Sequence, residues 1–89
     1  MPKVVITHSV ADMDTWLAGK SERAEAVGNM GGVNVVDHVA HDGSNTIAIT
    51  FETDDVAAVM ATLAAPPAEM AAAMERHGVL PPLTAYVEK

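Results

Sequence analysis

The chemistry open to this chain rests on few residues: His8, His38, His41 and His77, the aspartate Asp37 set among valines, and the single tryptophan and tyrosine, Trp16 and Tyr86. His8 is the most useful of them. It falls in the run Val4 to Val10, and in an extended conformation it shares a side with Val4, Ile6 and Val10. A neutral imidazole there can give or take a proton on a pocket ligand, because its pKa lies near working pH. The plainer alternative is a core histidine hydrogen-bonded to backbone or to a carboxylate.

The other candidates carry similar pairs of readings. Trp16 falls on the inward stripe of the first expected helix, where it either walls a pocket or simply packs, and its indole N–H calls for a partner. His38 and His41 stand three apart in an expected strand, so they point to opposite faces and cannot chelate one ion without a bulge. Asp37 is a buried carboxylate or, preferably, an edge-strand charge facing water that discourages aggregation. His77 ends a helix, where positive charge suits the dipole, and Tyr86 offers its hydroxyl to a pocket or to a subunit seam. The expected site is thus His8 as proton-transfer group, with Trp16, His38, His77 and Tyr86 as ligand-contacting candidates.

Several chemistries are set aside. There is no cysteine, so no disulfide, thiolate metal site or thiol nucleophile is available. No H-E-x-x-H pattern occurs, and the glycines Gly28, Gly31 and Gly32 follow a helix instead of opening one, so they cradle no phosphate. Neither a metal nor a cofactor is expected. Five basic against twelve acidic residues, net charge −7 and no basic cluster, argue against nucleic acid and anionic membranes. No apolar run approaches the ~20 residues of a membrane span, and a soluble cytoplasmic protein is expected.

The elements that must position these groups follow from periodicity. Val4–Val10 reads as a strand with apolar residues on both faces. Asp12 starts a helix whose apolar positions are Met13, Trp16, Leu17, Ala24 and Val27, with Gly28 and Gly31-Gly32 ending it. Residues 33–41 and 46–53 read as strands joined by the turn residues Asp42-Gly43-Ser44-Asn45. Thr53-Asp54-Asp55 caps a helix with the stripe Val56, Val59, Met60 and Leu63, interrupted at Pro66-Pro67. A further helical piece carries Met70, Ala73, Met74 and His77, followed by Gly78, an extended connector over residues 79–82 and a last strand over residues 83–87.

Strand, helix, strand, strand, broken helix, strand is the order of the ferredoxin-like α+β fold, βαββαβ, with a four-stranded antiparallel sheet and helices on one face. A single domain over residues 1–89 is expected. Whichever strand face meets the helices, the other keeps apolar residues: Val5, Val36, Ala48 and Tyr86, or else Ile6, Val35, Ile49 and Val87. An apolar sheet face left in water marks an interaction surface. A homodimer packed sheet on sheet is expected.

The run His8-Ser9-Val10-Ala11-Asp12-Met13-Asp14-Thr15-Trp16 resembles the H-x-V-x-D-x-D-x-W opening of small bacterial proteins of the dimeric α/β-barrel superfamily. Met74-Glu75-Arg76-His77-Gly78-Val79, before a proline-containing approach to the last strand, extends the similarity over nearly the whole chain. The resemblance implies a dimer whose two sheets form a barrel, with a ligand pocket in each subunit between sheet and helices. Members include cofactor-independent monooxygenases acting on aromatic polyketides, polyketide cyclases, isomerases and haem proteins, and others with stress or structural roles. This sequence departs from them in its scarcity of aromatics and in having Pro66-Pro67 where plant-type cyclases carry histidines flanking a proline. The expected function is the binding of a small apolar organic molecule, with monooxygenase- or cyclase-like chemistry; a non-catalytic binding, assembly or stress-related module is the alternative, and the sequence leaves open whether the chain is an enzyme.

Overall fold

The computed structural model describes residues 1–89. Strand β1 (Lys3–Val10) is followed by the short helices α1 (Met13–Ala18) and α2 (Lys20–Asn29), strands β2 (Val33–Val39) and β3 (Thr46–Glu52), helices α3 (Val56–Ala64) and α4 (Ala68–Arg76), and strand β4 (Val79–Val87). The sheet is antiparallel with order β2-β3-β1-β4, so β1 is central and β2 and β4 are edges. This is the expected ferredoxin-like α+β architecture. No single helix is long and apolar enough to cross a membrane.

The helices cover the face formed by Val4, Ile6, His8 and Val10 of β1 and Ile47, Ile49 and Phe51 of β3. Trp16, Val27 and Val59 close the core from the helical side. Trp16 and Phe51 are fully buried, each worth about 1.5–3 kcal/mol of apolar transfer. Asp12 and Asp55 cap α1 and α3 by accepting from the backbone N–H groups of Thr15 (3.0 Å) and Ala58 (2.9 Å).

Three local features differ from the sequence expectation, each for a definable reason. The first helix breaks at Gly19. The carbonyl of Trp16 accepts from the N–H of Gly19 (3.1 Å) and from Nη1 of Arg23 (2.8 Å) instead of continuing the helical ladder. The break turns Leu17 and Ala24 outward and brings Arg23 inward, where it is buried.

The second difference is a one-residue bulge in β2. Val33 opposes Glu52 but Val36 opposes Thr50, and Asn34 absorbs the extra residue at φ 55°, a left-handed conformation that asparagine tolerates better than most. Beyond it Asp37 opposes Ile49 and faces the helices. The third is that β4 begins at Val79, not Leu83. Ser9 pairs with Leu80 and Thr7 with Thr84, so Pro81-Pro82-Leu83 bulge opposite His8. Proline has no N–H to offer a ladder, which confines it to edges and bulges. The bulge inserts an even number of residues, so side-chain alternation is preserved on both sides of it.

The opposite face carries Val5, Thr7, Ala48, Thr50, Val36, His38, Leu80, Thr84 and Tyr86. Val36, Leu80 and Tyr86 are 49%, 45% and 57% exposed. Of the two apolar sets weighed from sequence, this one is left uncovered.

Candidate functional site

Between the inner sheet face and the helices lies a cavity of about 90 Å³. Its walls are mainly apolar: Ile6, Ile49 and Phe51 from the sheet, Val27 and Met30 from α2 and its end, Leu63 from α3, Met70 and Met74 from α4, and Val79 and Leu83 from β4. The polar groups on it are His8, Glu22, Arg23 and His77. A groove of about 400 Å³ between α2 and α4 shares Glu22, Ala26, Met30, Met70 and Ala73 with the cavity and forms its mouth. An apolar cavity of about 150 Å³ accommodates benzene. The inner space here therefore takes a small fragment, and the remainder of a larger ligand would lie in the groove.

His8 is 6% exposed. Its Nδ1 lies 2.9 Å from the carbonyl of Ser9, so Nδ1–H is the donor and Nε2 is left as an acceptor. Nε2 makes no protein hydrogen bond and keeps accessible surface. Burial pushes the His8 pKa below its ordinary value; the Ser9 carbonyl opposes this and the charge of Arg23 adds to it. The lowered pKa favours the neutral ring at pH 7, its Nε2 lone pair is without a protein partner, and His8 lines the cavity. The backbone bond at Nδ1 is the one foreseen for a core histidine.

Arg23 organises the surroundings. Its guanidinium lies 3.8 Å over the Trp16 ring, a cation–π stack. Nη2 and Nε grip Asp37 at 3.0 and 3.4 Å, and Nη1 donates to the Trp16 carbonyl. The Asp37 side chain is only 6% exposed. Its expected role as a water-facing edge charge is thereby corrected: β2 is an edge strand, but the bulge at Asn34 and the cover of α2 bury the carboxylate against an arginine.

His77 closes α4 and is 8% exposed. It stands at the C-cap as expected, its backbone N–H donating to the Ala73 carbonyl, while its ring is held by neighbours from α2. Nδ1 faces Arg23 Nη1 at 3.5 Å and Nε2 faces Glu22 Oε2 at 3.3 Å. Gly19 leaves the room for it, since a Cβ there would stand 2.5 Å from Nε2. Glu22 also pairs with Arg76. The hydrogen bond from His77, then those from Arg76, hold the exposed Glu22 carboxyl below its ordinary range.

Of the residues singled out from sequence, the structure brings His8 and His77 to the cavity. Trp16 packs edge-on to His8, ring centroids 6.4 Å apart at 81°, and under Arg23, so it supports two walls without lining the space. Its Nε1 is buried without a partner. His38 and Tyr86 stand on the outer sheet face and do not reach the cavity. His41 lies at the exposed turn, and no three carboxylate or imidazole groups converge as metal ligands. Arg23 is the polar group that the sequence reading passed over; Glu22, by sequence part of a solvated helix face with Ser21 and Glu25, is exposed and also borders the cavity. The signal for Arg23 was present, because it lies seven residues after Trp16 and four before Val27, on one helical stripe.

No family model and no curated protein matches the sequence. Solved structures do match its fold. An antibiotic biosynthesis monooxygenase superimposes with a TM-score of 0.68 at 15% identity, over 100% of this chain and 97% of the other. A candidate antibiotic biosynthesis monooxygenase from Deinococcus radiodurans gives 0.58 at 21% identity, over 97% and 90%. A dimeric ferredoxin-like protein from an uncultured marine organism gives 0.62 at 7% identity, over 100% and 93%. At these identities the likeness is one of fold, and it extends over almost the whole of each chain.

Proposed function

We propose that residues 1–89 form one domain that holds a small, largely apolar organic molecule in the cavity between sheet and helices and takes a weakly acidic O–H or C–H proton from it onto His8 Nε2. The observation that carries this is a neutral imidazole with one nitrogen tied to the Ser9 carbonyl and the other unbonded on an apolar cavity. The proton moves to Nε2, giving an imidazolium and a ligand anion. Arg23, on the same wall, supplies positive charge to that anion, while Asp37 and the Trp16 carbonyl keep the guanidinium in place. Proton removal of this kind opens both oxidation by dioxygen without a cofactor and cyclisation of a polyketide-like chain. Fold neighbours that carry the name of a monooxygenase lend this direction support.

The same proposal includes a homodimer in which the outer sheet faces of two copies pack together into a barrel. Its support is the apolar set Val5, Val36, Ala48, Leu80 and Tyr86 on an uncovered face and the dimeric fold neighbour. The test of the site is a titration with phenol followed on the His8 ring nitrogens by NMR, in the wild type and in His8→Gln. Saturable perturbation of Nε2, with binding lost or at least tenfold weaker in the variant, is expected; equal binding by the two proteins removes His8 from the site.

A further inference from the structure

The cavity is about half open, its mouth is the groove between α2 and α4, and polar side chains bridge that groove at one end. The α3–α4 pair is bent by 73° at the break containing Pro66 and Pro67. No residue of α4 itself is buried; Met70, Ala73 and Met74 line the cavity while only half covered. On the other side of the mouth stand Ala26 and Met30 from α2 and its end, on the wall that the groove and the cavity share. Apolar contact at half-exposed positions holds such a helix weakly, because much of its surface remains in water whether it is closed or open.

Across that mouth, Glu22 of α2 reaches α4's end twice, through Oε1 to Arg76 and through Oε2 to His77 at 3.3 Å. The hydrogen-bonded side chains of these three residues span the cleft, and Glu22 and His77 are also part of the cavity wall. His77 is the fixed end of the latch, seated on Gly19 and against Arg23. Arg76 is the solvent end, with 59% of its side chain exposed.

We infer that the cleft between α2 and α4 is the path by which ligands enter and leave the cavity, and that Glu22, bridging to Arg76 and His77, is the bar that keeps it from opening wider. The inference rests on the cavity being a ligand site, but its test needs no ligand. An exposed ion pair contributes little to folding. Its effect is therefore on how frequently the cleft opens and not on whether the chain folds.

The reporter is the indole hydrogen of Trp16. It is buried, no protein group accepts from it, and its ring touches His8 and Arg23, both on the cavity wall. Its exchange with deuterium is to be measured by NMR in the wild type, Glu22→Gln and Arg76→Met, together with the backbone amides of Ile6 and Ile49 in the central strands. Removing the bar should speed indole exchange at least threefold in both variants while the strand amides are unchanged, and high salt should do the same to the wild type alone. Unchanged indole exchange overturns the inference; so does parallel acceleration of the strand amides, which would mean that the whole domain opens. A wild type that takes up no phenol but shows the expected exchange pattern would defeat the proposed function and leave the gate standing.

Discussion

At the scale of single residues, the site depends on keeping one imidazole neutral and one guanidinium fixed. Because burial lowers the His8 pKa, the unfolded chain takes up that proton more readily than the folded one. Stability from this source is complete above pH about 6.5, the ordinary histidine value, and falls as pH drops below it towards the lower folded-state value. His8→Gln should therefore flatten the stability profile just below pH about 6.5, measured by urea unfolding at each pH; an unchanged slope would contradict the assignment.

Arg23 and Asp37 give a sharper prediction. Removing one partner of a buried pair leaves an uncompensated charge, at a cost of about 3–5 kcal/mol. Arg23→Met and Asp37→Leu should each destabilise by about that much in denaturant melts, and the double variant by clearly less than the sum. Additive losses would show that the pair, seen at 3.0 Å, contributes no coupling.

At the scale of elements, the strand order, the caps at Asp12 and Asp55, and the stripes of α3 and α4 were legible because each rests on local periodicity. What escaped was set by contacts distant in sequence. Gly19, a weak helix former, was passed over in the run read as one helix, and the ring from position 77 that occupies the space beside it could not be read locally. Asp37 looked solvent-facing on its edge strand because nothing local announces the bulge at Asn34 or the arginine arriving from α2. Pro81-Pro82 read as a connector, whereas β1 pairs on both sides of them. Gly19→Ala tests the first of these. The added methyl would overlap the His77 ring, and crowding of this kind costs about 1–3 kcal/mol. The melting temperature should fall and the His77 ring resonances should shift, and an unperturbed His77 would argue against the packing described.

At the scale of the whole molecule, one sheet has two apolar faces with different work. The inner face, with Ile6, Ile49 and His8, borders the cavity; the outer face, with Val5, Val36 and Tyr86, is the one proposed to meet a second copy. Val36→Lys places a charge in the middle of the uncovered set; the wild type is expected to sediment at about twice 9.3 kDa and the variant at 9.3 kDa. A wild type that sediments as a 9.3 kDa particle at micromolar concentration would contradict the dimer outright. The division of labour between the faces is tested most directly by titrating the protein with phenol while recording methyl and imidazole NMR spectra. Saturable shifts at Ile6, Ile49 and His8, with Val5 and Val36 unmoved, are the expected result. Shifts confined to the outer-face valines, or none on either face at millimolar phenol, would contradict the assignment of the cavity as the ligand site.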